Sequence, residues 1–213
     1  MHIPDGFIST PVAVAGISVA AVSVAYAVKA TNKKMGEKQI PMMGVLAAFI
    51  FAAQMLNFPV AGGTSGHFVG AALAAIILGP WSAILIMSSV LMVQCFVFQD
   101  GGLLALGANI VNMGVIAVFA SYFTYKVIFM AFRGSHVGRL VAAGVGGWIS
   151  VVASALTCAA ELAVSGIVPW KLAIPAMGIV HMAIGVGEGL ITVAVISLIT
   201  ATRPDLLELQ HAA

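Results

Sequence analysis

The sequence predicts an all-α membrane protein of seven transmembrane helices with its N-terminus outside, on three observations. Of 213 residues, 62% are hydrophobic and 8% are charged, and the mean hydropathy is +1.13; a soluble domain carries roughly 25% charge to cover its surface. Apolar runs of about 20 residues or more, as a bilayer crossing needs, recur along the whole chain and hold no charged residue except Glu188. The few Lys and Arg residues gather in clusters spaced like alternate loops. The same figures exclude a soluble enzyme and a DNA-binding module. The net charge of +2 is dispersed, without a dense basic block to follow a phosphate backbone, so no nucleic acid is expected as a partner.

Taken in order, the apolar runs cover residues 11–28, 41–58, 66–98, 103–125, 140–160 and 172–202. The first ends in Ala25-Tyr26-Ala27, which looks like a signal-peptidase site. The residues ahead of it, however, carry no Lys or Arg and place Pro4-Asp5-Gly6 where a basic region belongs, so the segment is expected to stay. The second run carries small residues at Gly44, Ala48 and Ala52, one helical face that lets another helix approach closely. The third would make a helix of about 50 Å if unbroken. It contains Gly79-Pro80, a pair that ends one helix and starts the next, so two spans are expected there.

Charge placement tests that split independently. Lys29, Lys33, Lys34 and Lys38 follow the first span, Lys126, Arg133 and Arg139 lie between the fifth and sixth, and Arg203 follows the seventh. With seven spans all of them face the cytoplasm and Lys171 alone is outside; with six, the later clusters change sides. The expected organisation is a single domain: an extracytoplasmic segment 1–10, a bundle 11–202 and a cytoplasmic tail 203–213.

The outer face then collects residues 1–10, the loop 59–66 with His67 at its end, Gln99-Asp100-Gly101-Gly102, and the loop 165–171. Two of the five histidines, His2 and His67, are there. A free α-amino nitrogen, the amide nitrogen of residue two and the imidazole of residue two can form fused chelate rings on one small divalent ion, and His67 could add a fourth nitrogen. A nitrogen-rich planar set suits Ni²⁺ or Cu²⁺ better than Zn²⁺. His at position two is too bulky for the usual removal of the initiator, so Met1 should remain.

Asp5, Asn57, Gln99, Asp100 and Asn109 are supporting candidates that could draw cations inward or orient the imidazoles. Glu161 and Glu188 are ionisable groups within or at the end of spans, with structural hydrogen bonds as the default reading. Glu188 follows His181 by seven residues, the same helical face but about 10 Å along the axis. An intramembrane metal enzyme using His181, Glu188 and Glu161 is the alternative function, weakened by the absence of H-E-x-x-H spacing. A vitamin-binding transport component is another; it would leave His2 without a purpose. Cys95 and Cys158 read as core packing, as do the methionines, with Met55 the one near the outer end of the second span.

The opening Met1-His2-Ile3-Pro4-Asp5-Gly6-Phe7 resembles the N-terminal signature of the NikM/CbiM family, the substrate-binding membrane components of energy-coupling-factor (ECF) nickel and cobalt importers. Gly66-His67-Phe68-Val69-Gly70, Leu78-Gly79-Pro80-Trp81, Gln99-Asp100-Gly101-Gly102, Gly107-Ala108-Asn109 and residues 181–188 are similar to it as well. The resemblance implies a six-helix substrate-component core with one added N-terminal helix, and metal held by Met1, His2 and His67. It implies nickel or cobalt as bound substrate without choosing between them; the nitrogen-rich donor set puts Ni(II) first, with Co(II) as the other candidate and no organic cofactor expected. It also implies a prokaryotic cell membrane, a transmembrane coupling subunit docked on the face of Gly44, Ala48 and Ala52, and ATPase subunits, with room for a small accessory membrane subunit. The chain has no G-x-x-x-x-G-K-[ST] loop, so ATP hydrolysis is expected on another polypeptide, and the chain itself is not expected to be an enzyme.

Overall fold

Among the described residues, six helices and one short hairpin make up the bundle. The computed structural model describes residues 1–33, 39–60 and 64–207, and for residues 58–60 and 64 the backbone alone. Lys34, Lys38, Gly62, Gly63 and the tail beyond residue 207 therefore lie outside the described residues. In chain order the elements are α1 (Thr10–Asn32), α2 (Gln39–Gln54), β1 (Asn57–Val60), β2 (Thr64–His67) and α3 (Ala71–Phe98). There follow α4 (Leu106–Asn109), a π-helical segment (Ile110–Ile116), α5 (Ala117–Ala131), α6 (His136–Val164), α7 (Trp170–Thr202) and a 3₁₀ turn (Pro204–Leu207). Five of the six helices are long and apolar enough to cross a membrane, with α4 through α5 counted as one; α2, at 16 residues, is shorter.

The second apolar run stops being helical at Gln54, four residues before the expected end, and the chain turns into an antiparallel hairpin that pairs Asn57 with His67. Pro59 explains part of this, because the residue before a proline is driven out of the helical region. Residues 66–70, expected at the start of the next span, are strand and loop instead.

α3 reverses direction at Gly79. The Gln54 side chain donates to the Val69 carbonyl at 2.7 Å and accepts from Gln94 at 2.8 Å, whereas an unbroken helix would hold residues 70 and 94 about 36 Å apart. Gly79 supplies the reversal with φ 79° and ψ 167°, a backbone region essentially restricted to glycine, and Pro80 starts the second arm. Every residue of the first arm, Ala71 to Leu78, is buried. That arm is only about 12 Å long, but it begins deep in the bundle, where Gly70 meets Glu188 of α7.

Contacts fix the directions of the other helices. Gly16 of α1 lies against Ala108, and Tyr26, further along α1, packs on Trp81 at 4.6 Å just past the reversal. α6 and α7 run antiparallel in close contact, Gly144 against Gly189 and Trp148 against Gly185; the Trp148 indole N–H donates to the Met182 carbonyl at 3.0 Å. One end of the bundle therefore carries residues 1–9, the hairpin and the 165–169 loop. The other carries the end of α1, the α5–α6 turn and the end of α7. Of the named basic residues that are described, Lys171 alone belongs to the first end.

Candidate metal centre

The first five residues form a strap rather than a loose end, with Met1, His2 and Ile3 buried and Asp5 exposed. Ile3 is clamped by Asn109, whose side-chain carbonyl accepts from the Ile3 amide at 2.8 Å and whose NH₂ donates to the Ile3 carbonyl at 3.2 Å. The Gly102 amide donates to the same carbonyl at 2.8 Å. Asp5 accepts from the amides of Leu103 at 3.0 Å and Leu104 at 2.9 Å. A Cβ at Gly102 would lie 2.3 Å from the Asp5 backbone nitrogen, so only glycine lets the strap lie this close. Met1 and Ile3 are fully buried, and the Cys158 thiol reaches the Met1 carbonyl at 3.8 Å.

This strap carries the α-amine and His2 to the hairpin. The amine donates to the Ser65 carbonyl and, at 3.0 Å, to the Ser65 hydroxyl. The imidazoles of His2 and His67 stack with centroids 4.7 Å apart and planes 21° apart. His67 donates through Nδ1 to the Phe68 carbonyl at 2.6 Å, which leaves Nε2 as its lone-pair nitrogen. His2 donates through Nε2 to Gln94 Oε1 at 3.1 Å, which leaves Nδ1. Both of those nitrogens are buried and without a hydrogen bond. Burial pushes the terminal amine down from 8.0 to about 5 and the His2 imidazole from 6.5 to about 3, so both are neutral at pH 7.

Of the supporting candidates, Asp5 and Asn109 hold the strap through backbone groups. Asp100 is half-buried with a carboxylate oxygen 3.4 Å from His2 Nδ1; burial raises its pKa and the nearby amine opposes that rise. Asn57 is exposed and faces His67 in the hairpin register. Gln99 sits in the left-handed conformation (φ 56°), ending α3 and turning the chain toward the strap.

Four polar residues that sequence reasoning did not place here surround the centre. Gln54 and Gln94 are fully buried and link His2 to the Val69 carbonyl. Glu188 accepts from the amides of Val69 at 2.7 Å and Gly70 at 2.8 Å, tying α7 to the loop that follows His67. His181 donates through Nδ1 to Met177 at 2.7 Å; its buried Nε2 has no hydrogen bond and the ring lies within electrostatic reach of the amine and of His67. Uncharged amides inside apolar runs were a readable signal, since a buried polar group in a membrane must find a partner.

The alternative enzymatic trio makes separate contacts: His181 donates to the Met177 carbonyl, Glu188 accepts from the Val69 and Gly70 amides, and Glu161 accepts from Asn112 at 2.6 Å. Among the described residues no group of three or more His, Cys, Asp or Glu side chains is arranged to hold a metal ion. A centre here has to draw on backbone nitrogen as well as imidazole.

Residues 2–206 match the CbiM family, described as the cobalt uptake substrate-specific transmembrane region. A protein of Archaeoglobus fulgidus provisionally named fused nickel transport protein NikMN is 43% identical over 215 residues, aligned over 100% of this chain and 70% of its own length. The cobalt transport protein CbiM of Sorangium cellulosum is 30% identical over 171 residues, 79% of this chain and 76% of that one. A crystal structure titled as a truncated transition metal transporter superimposes with a TM-score of 0.89 at 32% identity, covering 94% of this chain and 99% of its own.

Proposed function

The chain belongs to the CbiM family, and on that premise we propose that it is the metal-capturing component of an ATP-driven ECF-type importer that takes up Ni(II), with Co(II) as the second candidate. Membership makes it a multi-pass membrane transport component for nickel or cobalt. The finer reading, that Met1, His2 and His67 hold the ion, is carried by one observation. The terminal amine and the two imidazoles are buried beside one another, and each imidazole keeps a lone pair without a hydrogen bond.

Amine, His2 amide and His2 Nδ1 form two fused rings on one ion, and His67 Nε2 supplies the fourth nitrogen. Such a set favours Ni²⁺ over hard cations such as Mg²⁺, which demand octahedral oxygen ligands. The amine must exchange its Ser65 contacts for the ion. Ion entry from the N-terminal end, which faces outside with seven crossings counted, accords with the gathering of basic residues at the other end. The coupling and ATPase subunits then act on the bundle to release the ion inward.

The test is calorimetry of the purified chain with Ni²⁺. Adding one residue ahead of Met1 destroys the chelate without touching a side chain, and His67→Ala removes the fourth donor. Each abolishes high-affinity binding; retention of wild-type affinity in both would defeat the reading.

A further inference from the structure

We propose that Gln54 and Gln94 form a polarity relay that dictates which ring nitrogen of His2 carries its proton. The relay begins at a group whose role cannot reverse. The Val69 carbonyl only accepts, so Gln54 must turn its NH₂ toward it, 2.7 Å away. Gln54 Oε1 is then left to accept from Gln94 Nε2 at 2.8 Å, and Gln94 Oε1 is left to face His2 Nε2 at 3.1 Å. An oxygen there requires an N–H on Nε2. The lone pair is thereby assigned to Nδ1, the one His2 ring nitrogen that can close a six-membered ring with its own amide.

Glu188 fixes the starting point. It accepts from the Gly70 amide, which shares a planar trans peptide with the Val69 carbonyl, so holding the N–H on one side points the C=O to the other, toward Gln54. Both glutamines are fully buried, so a flipped amide would set oxygen against oxygen with no water to intervene. An opposing influence makes the relay necessary: Asp100 lies 3.4 Å from His2 Nδ1 and would draw the proton there, closing the lone pair to a metal. His67 meets the same requirement locally, its Nδ1–H held by the Phe68 carbonyl. Gln94 and Gln54 are thus positioning residues; the first touches His2, and the second acts only through the first.

The consequence for metal binding rests on the reading of Met1, His2 and His67 as the ligands, but the proton's location does not. Nitrogen-15 NMR of the metal-free full chain in detergent, labelled at histidine, reads the tautomer directly, with His2 assigned from the His2→Ala spectrum. Wild type shows His2 as Nε2–H; a wild-type Nδ1–H signal overturns the relay at once. Gln94→Leu and Gln54→Leu move His2 toward Nδ1–H and lower Ni²⁺ affinity about 10- to 100-fold, the range for lost ligand-orienting partners, while His67 and His181 stay Nδ1–H as internal controls of folding. Gln94→Glu in its protonated form, which donates its O–H to Gln54 Oε1 and still accepts from His2 Nε2–H through its other oxygen, keeps the wild-type tautomer. An unchanged tautomer in both leucine variants overturns the relay. Loss of nickel binding in His67→Ala together with unchanged leucine variants refutes the relay and leaves the ligand assignment standing; a tautomer change with nickel binding indifferent to His67 does the reverse.

Discussion

In the proposed site, donor readiness is settled residue by residue, by removing protons before an ion would arrive. An exposed terminus at pH 7 keeps its amine mostly protonated (reference value 8.0) and its histidine partly so (6.5), so forming an amine–amide–imidazole chelate there expels about two protons. Here burial lowers the amine to about 5 and His2 to about 3, so at pH 7 only the His2 amide has a proton left to lose. Nickel binding is expected to release close to one proton per ion, measured by calorimetry in buffers of different ionisation enthalpy; release of two would contradict the buried neutral amine. The same shifts set the pH dependence of the metal-free fold. Both groups are bases with depressed folded values, so below about pH 8 the unfolded chain binds protons that the folded chain refuses, and stability falls as pH drops toward 5.

The exposed face of α2 asks for a partner at the scale of an element. Gly44, Ala48 and Ala52 all point away from the bundle, and a Cβ built at Gly44 meets nothing within 4 Å. Beside the stripe is an apolar groove of about 270 Å³ between α2 and α3, lined by Ala47, Ala48, Phe51, Ser89, Val90 and Val93. A helix of a coupling subunit could approach closely here. Ala48→Leu with Ala52→Leu fills that approach while leaving the packed side of α2 alone. The pair is expected to reduce copurification of the coupling subunit to background with nickel affinity unchanged; intact assembly would assign the face to lipid. α2 also shows where sequence reading stops. The break at Gly79-Pro80 was legible because glycine and proline act on their own backbone. The hairpin was not, since its four-residue strands straddle the ends of two apolar runs and the loop between them, where Pro59 and the glycines mark a turn without marking strands. Glu188 stood out as a charge in a span, but its partners at Val69 and Gly70, 119 and 118 residues away, follow from packing alone. Likewise Met1, His2 and His67 could be named from donor chemistry, whereas Gln54 and Gln94 were absorbed into hydropathy counts as ordinary span residues.

Across the whole molecule, the distribution of charge and the position of the centre make one statement about direction. Lys29 and Lys33 stand at the end of α1, Arg133 in the α5–α6 turn and Arg203 at the end of α7, all opposite the strap, while Lys171 stands at the start of α7 on the strap's side. Basic residues are retained on the cytoplasmic side, so this distribution supports the proposed orientation, in which the strap faces outward and an arriving ion would meet Met1, His2 and His67 before the rest of the bundle. The reversal of α3 is consistent with this, because its two arms bring the chain back to the strap's end of the bundle between α2 and α5. The chain's own cysteines, Cys95 and Cys158, are buried, so single cysteines can be introduced on an otherwise unreactive background. In intact cells, a membrane-impermeant maleimide is expected to label Lys171→Cys and to spare Lys33→Cys until the membrane is opened. The opposite pattern would turn the bundle over and place the centre on the cytoplasmic side, where capture for import could not begin.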